Sequence, residues 1–139
     1  MTRLTLKKTI ILKAPPVHVW KFLTEKDRLA TWFHEGESDF EENGIYALVT
    51  NTLGKEGTRM CWGNILEFDP PTKLVHTFTH QGLMDVETTC TWTLQAVDQG
   101  TILSIEHTGF EKASDGFSKA ADHDEGWDEH FVRLRRVVS

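Results

Sequence analysis

From Phe117 to Val138 apolar residues return at helical spacing. At about 100° per residue, Phe117, Ala120, Trp127, Phe131, Leu134 and Val138 share one face, and Asp122, Glu125, Glu129, Arg133 and Arg136 lie opposite. The pattern predicts one long amphipathic helix at the carboxy-terminal end. Glu129 stands four residues before Arg133, a pairing that adds a few tenths of a kcal/mol. Asp124 and Asp128 project from the margin of the apolar face. Gly126 interrupts the helix just before Trp127, where glycine costs about 1 kcal/mol relative to alanine. Fraying, close backbone packing, or room for a ligand beside Trp127 would each account for it.

The preceding chain reads differently. Leu4 to Lys13 is rich in β-branched and apolar residues and suits a strand, which Ala14-Pro15-Pro16 ends. Proline is well tolerated at a helix start, and Val19, Trp20, Phe22 and Leu23 then line one side of a short helix. A second short helix, roughly Asp27 to Phe33, presents Leu29, Trp32 and Phe33. From Glu35 onward, turn signals separate short runs: Glu42-Asn43-Gly44, Leu53-Gly54-Lys55-Glu56-Gly57, Asp69-Pro70-Pro71, Gln81-Gly82 and Asp98-Gln99-Gly100. The predicted strands are Glu37–Glu41, Ile45–Asn51, Thr58–Phe68, Leu74–His80, Val86–Ala96 and Thr101–Phe110. With the first strand they make about seven, joined by connections short enough for antiparallel pairing.

Alternation sorts the faces of these strands. Trp62, Asn64, Leu66 and Phe68 fall on one side, as do Leu74, His76, Phe78 and His80. Cys90, Trp92 and Leu94 oppose four polar neighbours, and Leu103, Ile105 and His107 oppose Ser104 and Glu106. One face is apolar and carries histidines; the other is rich in threonine. A curved antiparallel sheet with one apolar face, beside a helix with one apolar stripe, is satisfied when the sheet wraps the helix. The expected fold is therefore α+β, a helix-grip arrangement of six to seven strands with two short helices after the first strand.

Composition narrows the partners. A chain of 139 residues suits one domain, 1–139, with a core of its own. No apolar run approaches the roughly 20 residues of a membrane span, and the amino-terminal stretch lacks a long apolar signal region. A cytoplasmic protein without membrane insertion is expected. A net charge of −6 with no dense basic cluster argues against nucleic acid, which is bound through basic side chains. Cys61 and Cys90 are far apart in strand-like runs and read as packed, reduced thiols.

Seven histidines raise the question of a metal. His76 and His80 lie about 13 Å apart at ~3.3 Å per strand residue, and His123 and His130 are two helical turns apart, so neither pair chelates together. No metal site is expected. Phosphate-cradling glycine loops and a nucleophile elbow are missing from the sequence, and no cofactor is implied. The most suggestive polar set is His107 on the last strand opposite Asp124 on the helix, either an acid–base pair or a buried contact that positions the helix.

Ala14-Pro15, Val19-Trp20, Leu23-Thr24, Trp32-Phe33, Gly63 ahead of Phe68-Asp69-Pro70-Pro71 and Leu74, Gly100-Thr101, His107-Thr108-Gly109-Phe110 and Gly126-Trp127 occur in that order. Together they resemble the activator-of-heat-shock-ATPase homologue-like family of the START-like, or SRPBCC, superfamily, through nearly the whole chain. The resemblance implies the helix-grip fold with a cavity between sheet and carboxy-terminal helix, used across the superfamily for hydrophobic small molecules. It does not imply one function. The eukaryotic co-chaperone of the family carries a separate amino-terminal domain for which these residues leave no length, so a chaperone partner is not expected.

The expected function is binding of a hydrophobic or aromatic small molecule, lipid-like or polyketide- or flavonoid-like, without conversion. The candidate cavity residues are Trp32, Trp62, Asn64, Phe78, His80, Trp92, His107, Asp124, Trp127 and Phe131, with no catalytic residue assigned. The alternatives are a hydrolase, isomerase or cyclase using His107 and Asp124, or a co-chaperone-like interaction module. A homodimer is left open.

Overall fold

A computed structural model describes residues 4–49, 59–84 and 86–138. Strand β1 (Thr5–Leu12) leads into helices α1 (Pro16–Thr24) and α2 (Lys26–Leu29). Strands β2 (Glu35–Gly36), β3 (Ile45–Val49), β4 (Arg59–Asp69), β5 (Lys73–Phe78), β6 (Thr88–Val97) and β7 (Gly100–Thr108) follow, and helix α3 (Gly116–Val138) closes the chain. The seven strands form one antiparallel sheet in the order β1-β7-β6-β5-β4-β3-β2. The first strand thus pairs with the last, Thr5 opposite Thr108 and Leu12 opposite Thr101. Helix α3 lies in the curve of the sheet, its buried stripe formed by Gly116, Ala120, Trp127, Phe131, Leu134 and Val138. This is the helix-grip arrangement that the two hydrophobic periods predict.

Local chemistry explains the boundaries. Pro16 opens α1 where an N–H would find no partner anyway, and Val19, Trp20, Phe22 and Leu23 carry its apolar side into the core. The second helix is shorter than its apolar spacing suggests, ending at Leu29. The reason is Trp32, which leaves the helical path to bury its ring and donate its indole N–H to the Phe22 carbonyl at 2.8 Å. The strand expected at Glu37–Glu41 is replaced by the two-residue β2. Phe40 turns inward instead, its ring 4.8 Å from Tyr46 and its N–H on the Thr24 carbonyl. The turn expected at Leu53–Gly57 lies outside the described residues.

Two helix assignments also change. Phe117 is 77% exposed, because Gly116 takes the first place on the buried stripe and packs against the Phe110 carbonyl too closely for a side chain. Arg133 does not serve as the partner of Glu129 expected from spacing. Its Nε donates to the Trp32 carbonyl at 3.1 Å and its terminal nitrogen to His130 Nδ1 at 2.6 Å, tying α3 to the turn after α2.

The largest departure from strict alternation is in β4. The register shifts between Ile65 and Glu67, a bulge that changes which residues face inward. Before it, Cys61 and Ile65 are buried and Trp62 and Asn64 face out; after it, Phe68 packs inward against Trp20 at 5.4 Å. Trp62 pairs with Ala47 and Thr79 on the outer side, and Asn64 with Ile45. Both residues were expected in the cavity, and both stand on the opposite face of the sheet.

Gly63 of β4 lies directly against Thr77 of β5. A Cβ there would collide with the carbonyl oxygen and hydroxyl of Thr77, which are held in place by the Tyr46 hydroxyl and the Asn64 N–H. Gly63→Ala is expected to lower the unfolding free energy by about 1–3 kcal/mol, the usual cost of overpacking. Urea denaturation checks this, and a variant as stable as the parent would show that the two strands separate freely.

Candidate functional site

An apolar cavity of about 260 Å³ opens between α3 and the inner face of β4 and β5. Phe33, Cys61, Phe78 and Trp127 form its apolar wall. Four half-buried histidines, His34, His80, His123 and His130, stand on its wetter side with Asp122 and Met60. Gly126 completes the lining, and a Cβ built on it meets nothing within 4 Å. Close packing therefore does not account for that glycine, and the absent side chain leaves open space. Phe33, Phe78 and Trp127 also line a second, smaller void of about 20 Å³ among core side chains.

Hydrogen bonds assign the proton on each inner histidine. Trp127 Nε1–H donates to His107 Nδ1 at 3.1 Å, so the His107 proton is on Nε2, which donates to Thr88 Oγ1 at 2.8 Å; the Thr88 hydroxyl passes on to the Phe78 carbonyl at 2.6 Å. Likewise Trp92 Nε1–H donates to His76 Nε2 at 3.0 Å, and His76 Nδ1–H to the Thr77 carbonyl at 2.9 Å. At the rim the Gly82 N–H donates to His80 Nδ1, so His80 Nε2–H points at His123 Nε2, 2.8 Å away, while His123 Nδ1–H bonds the Lys119 carbonyl at 2.7 Å. Every one of these rings is neutral and held in a single tautomer.

Burial keeps them so, since a desolvated imidazole resists protonation. It pushes His76 down to about 4 and His107 well below the usual histidine range. His80 is pushed down to about 4 by burial and then by the charges of His123 and Lys119, and His130 to about 4 by burial, Arg133 and His34. Burial also lowers His34 and His123. The Cys61 thiol at the wall is pushed up to about 12 by burial, far from the thiolate a nucleophile needs. Among the described residues, no three His, Cys, Asp or Glu side chains converge as a metal site would require.

Of the residues singled out from sequence, Phe78, His80 and Trp127 line the cavity, and Trp32 and Trp92 line the inner void with Phe78 and Trp127. Phe131 is core, stacked between Trp32 at 6.3 Å and Trp127 at 5.8 Å. His107 is fully buried beneath Trp127. Asp124 is not its partner: the carboxylate binds Lys8 Nζ at 2.8 Å, with Asp128 on the same ammonium at 3.1 Å. The expected acid–base pair is therefore not formed, because Trp127 and Thr88 already occupy both nitrogens of His107. Trp62 and Asn64 line a wider hollow of about 440 Å³ on the outer face, where Arg59 and Glu37 are already paired at 2.9 Å.

Sequence reasoning did not select Phe33, His34, Cys61, His123 or His130 for the site. One signal was available for two of them. Positions 123 and 124 fall between Ala120 and Trp127 on the apolar stripe, and a histidine and an aspartate there break it, with His130 seven residues further along the same face.

A seven-stranded antiparallel sheet gripping a carboxy-terminal helix, with an apolar cavity between them, defines a START-like domain. The chain belongs to the family described as activator of Hsp90 ATPase homolog 1-like protein, whose sequence model matches residues 13–139. Among solved structures it is similar to protein MLL2253 from Mesorhizobium loti, at 21% identity and a TM-score of 0.82, covering 97% of this chain and 96% of that one. CalU16 from Micromonospora echinospora is 23% identical with a TM-score of 0.75, covering 99% and 85%. PFC0360w, an HSP90 activator from Plasmodium falciparum, is 19% identical with a TM-score of 0.62, covering 76% and 72%. No curated protein matches the sequence.

The neutral core histidine His76 makes stability depend on pH. It is 5% exposed, and its folded pKa of about 4 lies below the ordinary 6.5, so the unfolded chain binds the extra proton. Stability is then complete above about pH 6.5 and falls toward pH 4, by roughly 3 kcal/mol from this group. His76→Gln, which cannot titrate there, is expected to reduce the pH dependence of urea unfolding between pH 6.5 and 4, the other lowered histidines supplying the remainder. An unchanged slope would assign the acid sensitivity to other groups.

Proposed function

We infer that this protein binds a flat, hydrophobic small molecule in the cavity beside Trp127 and does so without converting it. The observation that carries this reading is Gly126. A glycine in a helix interior costs about 1 kcal/mol, and here no neighbouring atom requires it; what it leaves is space against an indole and two phenylalanine rings. An apolar wall with a few polar groups at one side is the composition of a small-molecule site.

Chemistry on the ligand has less support. His107 and Asp124 are engaged elsewhere, and the wall thiol is protonated. The likeness to an HSP90 activator, at 19% identity, carries the fold and not the partner. No helix of the described residues is long and apolar enough to cross a membrane, and two buried free thiols suit a reducing, cytoplasmic setting.

The test is a thermal-shift and tryptophan-fluorescence titration with fused-ring aromatics and long-chain alcohols. A ligand at a hundredfold excess over Kd stabilises the fold by about 2.7 kcal/mol. Gly126→Phe, whose Cβ meets nothing within 4 Å and whose ring enters the open space, is expected to stay folded and weaken binding by roughly tenfold or more, a loss of about 1.4 kcal/mol. Gly126→Ala is expected to raise stability by up to about 1 kcal/mol and still bind. Undiminished binding to the folded Phe variant would place the ligand elsewhere.

A further inference from the structure

The rim of the cavity has a polar pair of defined polarity. His80 Nε2–H is a donor because Gly82 N–H occupies Nδ1; His123 Nε2 is an acceptor because Nδ1–H is committed to the Lys119 carbonyl. The two nitrogens lie 2.8 Å apart in rings stacked 5.0 Å centre to centre, at the edge of a wall otherwise built from Phe78 and Trp127. Unlike His76 and His107, both rings are only partly buried and face a space large enough for a ligand.

We propose that the His80–His123 pair is the head-group site of this cavity, and that it takes a monocarboxylic acid with an apolar aromatic or aliphatic body, binding it together with one proton. This rests on the cavity reading above and adds the chemical class of the ligand. A carboxyl group that displaces the direct His80–His123 hydrogen bond, the two rings parting from their 2.8 Å contact to admit it, accepts from His80 Nε2–H and faces His123 Nε2. That second contact needs a proton between oxygen and nitrogen. Whether the proton sits on the carboxyl or on the imidazole, the complex holds one more than the free neutral pair and the free carboxylate. No covalent bond other than that to the proton forms or breaks, the His80–His123 hydrogen bond is exchanged for contacts to the carboxyl group, and the proton comes from solvent.

The surroundings favour that extra proton once an anion is present. The charged or titratable groups facing His123 are Lys119 and Asp122 from its own helix, His80 from the end of β5 and His107 from β7; those facing His80 are His123 and Lys119. Phe78 and Phe110 supply the uncharged remainder, at 6.0 and 5.0 Å from the His123 ring. In the free protein burial, with Lys119, disfavours a charged ring and outweighs Asp122 and the Lys119 carbonyl, which favour one on His123. A carboxylate between the rings reverses the sign of the local field.

Linkage sets the sign of the effect. Affinity for a carboxylate rises as pH falls, by up to about tenfold per pH unit, as long as the free acid and free pair are deprotonated and the complex is protonated. With free carboxyl groups near 4 and His80 at about 4, the slope is expected between about pH 5 and 7. A neutral alcohol with the same body shows none.

The experiment pairs 2-naphthoate with 2-naphthylmethanol, and dodecanoate with dodecanol, titrated into the full chain from pH 5 to 8. Calorimetry in two buffers of different ionisation enthalpy counts protons. Expected are tighter carboxylate binding toward pH 5, uptake of about one proton near neutrality, and flat binding of the alcohols. In His123→Gln, whose amide donates to a carboxylate without titrating, the slope is expected to disappear while the protein stays folded and still takes up the carboxylate. His18→Gln, on α1 and outside the cavity lining, keeps the slope. Carboxylate binding without proton uptake, or a slope that survives His123→Gln or is lost in His18→Gln, overturns the proposal. So do alcohols that bind while the acids do not, which leaves the apolar cavity reading standing. Failure of all four probes overturns both.

Discussion

The hydrogen bond from the Trp127 indole to His107 is the contact around which the molecule is arranged. Trp127 is the largest side chain on the buried stripe of α3, and burying it also buries a donor that needs an acceptor. His107 supplies one and hands its own proton to Thr88, which ends on the Phe78 carbonyl. One relay thus runs from the helix through β7 and β6 to β5. Because each step has a direction, it sets the orientation of the Trp127 ring as well as its position. Among the described residues, no buried side-chain nitrogen or oxygen is left without a partner.

The cavity is a consequence of where that relay and two other anchors hold α3. On one margin Lys8 of β1 grips Asp124 and Asp128, its charge opposed by burial but stabilised by hydrogen bonds to both carboxylates. On another, Arg133 bonds the Trp32 carbonyl, and the Trp32 indole returns to Phe22. Between these anchors the stripe of large side chains is interrupted by His123, Asp124 and Gly126. Protein interiors are ordinarily close-packed, so an opening at that interruption, flanked by fixed rings, is kept by the frame around it.

The histidines divide by depth into two chemical kinds. His76 and His107 are fully enclosed, each between a tryptophan N–H and an oxygen, and act as neutral connectors that let indoles be buried without loss of hydrogen bonding. His80 and His123 use the same tautomer logic at the edge of open space. The residue type is common to both sets; what differs is whether a third molecule can reach the nitrogens.

Much of this was legible in the chain before folding. Period-two alternation in β5, β6 and β7 and the 3.6-residue stripe of α3 depend only on local backbone geometry, and they define the sheet, the helix and the face that each buries. Phe78, His80 and Trp127 follow from them as cavity residues. Three things depended on contacts distant in sequence. The bulge in β4 sent Trp62 and Asn64 outward, because strict alternation assumes an unbroken register. The choice of partners was equally hidden: Asp124 faces Lys8, 116 positions away, while Trp127 and Thr88 take the nitrogens of His107. The pairing of His80 with His123 across 43 positions comes from the docking of α3 against the end of β5, and no spacing within either element encodes it. Local periodicity thus determined the layers and the buried faces, while tertiary packing decided which polar groups meet, since a hydrogen bond needs atoms brought within about 3 Å by the whole fold.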